Sequence, residues 1–216
     1  MRILAAGCSF TAGLELPDCL YTNFGVSKYA YPSLLGDWYN AEVTNISLSG
    51  GSNGRIFRKI IDETSRTNYD LIICGWTSID RLDLQYKNED IPSAPGGRYL
   101  DNFQWTKTYY TDHHSYYHAS QTWYAQLISL QSYLKLSNQK YIFLSMMTPV
   151  SDMHKDQFPY LLNKIDSKYF IGWPDQGMVD FMGDCPKGPG GHPLELGHQR
   201  IADKINEHIR NLGWVS

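Results

Sequence analysis

The sequence predicts an α/β fold, a three-layer α/β/α sandwich with a central parallel sheet of about five strands. Two patterns carry the prediction. Short, near-continuous apolar runs recur at 3–6, 43–46, 71–74, 141–146 and 169–173. Unbroken rather than alternating apolar character suits parallel strands covered on both faces. Between or after these runs lie segments whose apolar residues recur every three or four positions, the helical period. Strand–helix alternation of this kind implies right-handed crossovers and an open, doubly wound sheet.

The elements follow in order. Residues 3–6 form the first strand, which stops at Gly7. A short helix runs over 32–39 with Pro32 in its first turn. After the second strand, 52–64 places Ile56, Phe57, Ile60 and Ile61 on one helical face. After the third strand the pattern breaks. Residues 83–118 contain Pro92, Pro95, Gly96 and Gly97, then Y-Y-T-D-H-H-S-Y-Y-H, with no period. An irregular connection this long is functional or loosely ordered, and its start lies beside the carboxyl end of the sheet. Residues 119–136 are helical, with Trp123, Leu127, Leu130 and Leu134 in register, and 196–212 repeats the pattern with Ile201, Ile205, Ile209 and Leu212.

Composition narrows the function. A chain of 216 residues fits one domain with a sizeable core. A net charge of −3 leaves no electrostatic footprint for nucleic acid. Cys8, Cys19, Cys74 and Cys185 are widely spaced with no C-x-x-C, which argues against a zinc site and a disulfide framework. No run of about 18 apolar residues occurs, so no membrane span is expected. Arg2 is followed by only a short apolar stretch that reads as the first strand, so the expectation is a cytoplasmic protein without a signal peptide. The 16 Tyr and 6 Trp suit either packing or a surface for ring-shaped ligands.

In doubly wound sheets ligands sit beyond the carboxyl ends of the strands. Four loops of this sequence meet there. The first is G-C-S-F-T at 7–11, where Ser9 is either a helix cap or a nucleophile. It does not fit G-x-S-x-G, because Thr11 fills the last place, nor a phosphate-binding P-loop, because Gly13 comes one residue late. The second is N-I-S-L-S-G-G-S-N-G at 45–54, whose small residues expose backbone N–H groups at a helix start. The third is G-W-T-S at 75–78, with two hydroxyls. The last is G-H-P-L-E-L-G-H at 191–198, which leaves His192 in a Gly/Pro loop, free to reach a serine.

In order and spacing these four loops resemble the blocks of the SGNH/GDSL hydrolase family, over nearly the whole chain. Gly7-Cys8-Ser9 resembles the family's G-D-S with Cys8 in place of aspartate. Gly50 falls on the glycine of the second block, and Thr77 on the asparagine of the third. Gly191-His192-Pro193 is similar to the block that carries the catalytic histidine. The resemblance implies a flavodoxin-like sandwich and a serine esterase. Ser9 would be its nucleophile and His192 its base, with an oxyanion hole formed by the Ser9 and Gly50 N–H groups and the Thr77 hydroxyl. It implies no metal and no cofactor. The family's aspartate, three residues before the histidine, is Pro189 here. Asp184 or Asp180 reaching in, a backbone carbonyl behind the ring, or a site without turnover are the open replacements, with Asp184 preferred. Trp76, Trp105 and Tyr110 are the expected substrate contacts, and the aromatic insertion inclines the substrate toward an acetylated carbohydrate. The competing reading is a binding or structural protein that keeps the hydrolase scaffold.

Overall fold

The computed structural model describes residues 1–23, 25–86, 89–93, 104–147 and 156–215. Its central sheet has four parallel strands, β1 (Arg2–Ala6), β2 (Glu42–Asn45), β3 (Leu71–Trp76) and β6 (Tyr141–Ser145), in the order β2-β1-β3-β6. The register runs Ile3 beside Val43 and Leu71, and Ile72 beside Tyr141. The runs of β1, β3 and β6 are buried on both faces, which is why they do not alternate with polar residues, while the edge strand β2 is only half-buried.

Alternate side chains divide the sheet into two cores. Ile3, Leu71, Ile73, Ile142 and Leu144 face one layer, built by α2 (Tyr31–Tyr39), α6 (Met178–Met182) and α7 (Glu195–Asn211). Leu4, Ile72, Cys74, Trp76, Tyr141 and Phe143 face the other, built by α3 (Asn53–Arg66) and α5 (Tyr116–Leu136). Each such buried aliphatic side chain contributes about 1.5–3 kcal/mol relative to exposure. Caps set the helix starts. Ser52 Oγ accepts from Arg55 N at 3.1 Å and begins α3, and Pro32 occupies the first turn of α2.

Two expectations change. The run at 169–173 is not a fifth strand. It begins in a 3-10 turn (Ser167–Tyr169) and, among the described residues, pairs with the sheet only through a bridge from Phe170 to Phe143. Gly172 then takes φ +79, and the Asp175 and Gln176 N–H groups bond back to its carbonyl, turning the chain away. Phe170 and Ile171 are nonetheless buried, so the apolar signal records burial rather than pairing. The insertion is also more regular than expected. It holds an antiparallel hairpin, β4 (Leu82–Tyr86) with β5 (Glu89–Ser93). Further on comes α4 (Gln104–Thr108), running into a π-helical turn (Tyr109–His113) before α5. The remainder of the insertion, 87–88 and 94–103, lies outside the described residues. Among the described residues no helix is long and apolar enough to cross a membrane, and all four cysteines are free and buried.

Candidate active site

β1 ends where Gly7 can carry no side chain. A Cβ there would sit 2.0 Å from Thr11 Oγ1, whose hydroxyl pairs with Tyr31 Oη at 3.0 Å. The chain then makes one helical turn, α1 (Ser9–Ala12), closed by Gly13 at φ +82. Cys8, not Ser9, is the N-cap, and no side chain bonds there, so the capping reading of Ser9 has no support. Ser9 is 2% exposed, and neither its hydroxyl nor its N–H bonds to any other described residue.

His192 comes to the same edge from the loop before α7. The Phe10 ring, next to Ser9, packs on the imidazole at 5.6 Å between centroids, and the Tyr21 ring lies edge-on at 6.3 Å. No hydrogen bond joins Ser9 to His192. Nδ1 of His192 meets Glu15 Oε2 at 2.9 Å, with the His192 side chain 12% and the Glu15 side chain 6% exposed. Nε2 bonds to no described residue. Glu15 Oε1 accepts from Gly190 N at 2.6 Å, and Oε2 also accepts from His192 N at 3.2 Å. Burial by itself would raise the Glu15 pKa. The Gly190 N–H, the imidazole and the His192 N–H outweigh it and hold the carboxyl below its ordinary range.

Asp184 therefore does not orient His192. Its carboxylate is 95% exposed and pairs with Arg200 at 3.0 Å. Asp180 is occupied as well, accepting from Gly177 N at 2.7 Å at the start of α6. Glu15 is not apparent from the sequence because it lies 177 residues from His192. A faint signal exists in the run K-G-P-G-G-H at 187–192, whose missing side chains leave room for a group from elsewhere.

The residues expected to hold an oxyanion give a mixed picture. Gly50 sits at φ +81, and its N–H bonds to no described residue. Thr77 departs from expectation. It is buried, its hydroxyl lies 3.9 Å from Met146 Sδ, and its N–H donates to Asn53 Oδ1 at 2.8 Å. Asn53 Nδ2 returns a bond to Thr77 O at 3.0 Å, clamping the second loop to the third. Trp76 is also displaced from its expected role. An even position on β3 sends it into the core, edge-on to Phe143 and fully buried, so no ligand reaches it. Tyr110 donates to the Asp80 carbonyl at 2.8 Å and packs on Tyr109 and His114. Trp105 lies in α4. A cavity of about 200 Å³ adjoins the Asn53–Thr77 clamp, lined by Asn53, Arg58, Arg81, Tyr109, His118 and Trp123 among others.

Solved structures share this α/β fold across almost the whole chain. "Crystal Structure of TesA" is 13% identical, covering 98% of this chain and 99% of the other, with a TM-score of 0.61. A G-D-S-L family protein from Desulfitobacterium hafniense is 11% identical, with 96% and 98% covered and a TM-score of 0.53. A family two carbohydrate esterase from Clostridium thermocellum, solved with cellohexaose, is 15% identical, with a TM-score of 0.57. This chain is covered to 99% there and spans 65% of that one. By sequence the chain belongs to a family of unknown function, DUF6071, whose model matches residues 14–216. No curated protein matches it.

Proposed function

We propose that the protein is a serine ester hydrolase acting on small acyl esters. One observation carries the reading. A largely buried imidazole has Nδ1 on a carboxylate at 2.9 Å and Nε2 unengaged, and it packs against the residue next to Ser9. In the proposed reaction Ser9 Oγ attacks the ester carbonyl carbon while its proton passes to His192 Nε2. The oxyanion forms against the Ser9 and Gly50 N–H groups. Collapse breaks the bond to the alkoxy oxygen, which takes the proton from His192 and leaves as the alcohol. Water then gives a proton to Nε2 and attacks the acyl-enzyme, releasing the acid and restoring Ser9. The residues supply every proton transfer, so the scheme uses no cofactor.

An acetylated carbohydrate is the proposed substrate class. The cavity beside the Asn53–Thr77 clamp mixes aromatic faces with Arg58, Arg81, Asp83 and Asn53, a lining suited to a hydroxyl-rich ring. Several structural neighbours carry the name of a carbohydrate esterase. A binding protein on a retained scaffold is the second reading. It draws on the absent Ser9–His192 hydrogen bond and on the Thr77 donors turned elsewhere.

Hydrolysis of an aryl acetate by wild type and Ser9→Ala separates the two. The hydrolase loses several powers of ten in kcat on substitution, and a fluorophosphonate adds its mass at Ser9 in wild type alone. Equal background rates and no labelling would leave the binding reading.

A further inference from the structure

We propose that Glu15 is the positioning residue for His192, supplied from just beyond the nucleophile's helical turn instead of from the position three residues before the histidine. The proposal rests on the reading of Ser9 and His192 as nucleophile and base.

Three independent features of the chain converge on this carboxylate. First, both of its oxygens are used, Oε1 by Gly190 N and Oε2 by the backbone and ring nitrogens of His192. Second, the histidine loop is shaped around it. A Cβ on Gly188 would sit 2.5 Å from Glu15 Oε2. One on Gly190 would sit 2.1 Å from Tyr21 Oη and 3.1 Å from Glu15 Oε1. Gly191 turns the loop at φ +83. Pro189 and its flanking glycines thus lack a carboxylate of their own and make the space that receives one. Third, Glu15 itself holds φ +75, a left-handed conformation that disfavours a residue with a side chain. Its N–H bond to Cys19 O at 2.8 Å helps keep it there.

The chemical consequence is a fixed tautomer. A carboxylate held ionised accepts from Nδ1–H, which leaves the lone pair on Nε2, the nitrogen that takes the serine proton. The other groups around the ring are Phe10, Tyr21 and the buried His198, none of which carries a negative charge at neutral pH. Five residues lie between Ser9 and Glu15, the rest of α1 followed by Gly13 and Leu14. Nucleophile and positioning carboxylate thus move as one unit, and His192 alone arrives from the other end of the chain.

A purely structural Glu15 would only staple the loop at 188–192. Glu15→Gln distinguishes the roles, because it keeps the size and an acceptor for Gly190 N–H while its amide N–H₂ favours the wrong tautomer. The expected result is a fall in kcat of roughly 10²–10⁴-fold with KM changed by less than about threefold. Glu15→Asp should recover part of that loss. In ¹⁵N spectra of the imidazole, His192 should change from the Nδ1–H to the Nε2–H form. An unchanged tautomer in Glu15→Gln, or an unchanged kcat, overturns the proposal. The tautomer is readable without turnover, also in Ser9→Ala. A failed esterase assay would therefore refute the hydrolase reading and still leave the role of Glu15 decided by the spectrum.

Discussion

His192 and His198 each follow a glycine, stand six residues apart and flank the start of the same helix, yet their surroundings oppose each other. His192 lies in a loop, keeps Nε2 unengaged and has Nδ1 on a carboxylate. His198 is sealed inside the fold. Its Nδ1 accepts from Tyr31 N at 3.2 Å, its ring stacks on Tyr31, and its Nε2 is buried without a partner among the described residues. Burial, and secondarily the nearby His192, pushes the His198 pKa down to about 4. The difference teaches that a Gly-His pair carries no role of its own. A histidine is placed to act as a base where a carboxylate fixes one nitrogen and the other stays open. Where backbone takes one nitrogen and the other is buried, it becomes a neutral packing group that closes the N-terminus of α2.

The sharpest way to break this comparison is to make the same change at both sites. His192→Asn should lower kcat for an aryl acetate by several powers of ten and leave the unfolding temperature near that of wild type. His198→Asn should do the reverse, keeping activity per folded molecule while destabilising. Loss of activity in a fully stable His198→Asn would invert the assignment.

The next effect is in pH dependence. The folded state excludes a proton from His198 down to about pH 4, and the unfolded chain binds one below its ordinary value of 6.5. The stabilising contribution is therefore complete above 6.5 and is lost as pH falls toward 4. Between pH 8 and pH 5 it should cost about 2 kcal/mol. Glu15 acts later, since its depressed carboxyl gives stability that is lost only as pH falls below its ordinary 4.5. Denaturant titrations of wild type should show the decline from pH 6.5 to 5, and His198→Asn should flatten it. An equal slope in both proteins would mean that His198 is not excluded from protonation.

The smallest effect is expected at Asp184, the carboxylate nearer His192 in sequence. An exposed pair with Arg200 is screened by solvent, so Asp184→Asn should leave kcat within about twofold and stability nearly unchanged. A large loss of kcat there would move the orienting role away from Glu15.

Much of the scaffold is legible in the order of residues alone. The parallel strands and the helices of both layers follow from apolar period and burial, because a strand covered on two faces must be apolar throughout. The same logic fails at 169–173, where Gly172 turns a buried apolar run out of the sheet. It also fails for Trp76, where period two along β3 decides between ligand edge and core.

By itself the sequence determined the four strands of the sheet, their helical covers and the placing of Ser9, Gly50 and His192 at one carboxyl edge. Those are local facts of pattern and chain order. Only the tertiary structure decided what each side chain meets there. Glu15 reaches His192 across 177 residues because a left-handed turn after α1 aims its carboxylate into a loop of glycines. Asp184, a few residues from the histidine, is drawn out to Arg200 and solvent. Hydrogen bonding depends on distance in space, and a closed chain can bring its far end nearer than its neighbour.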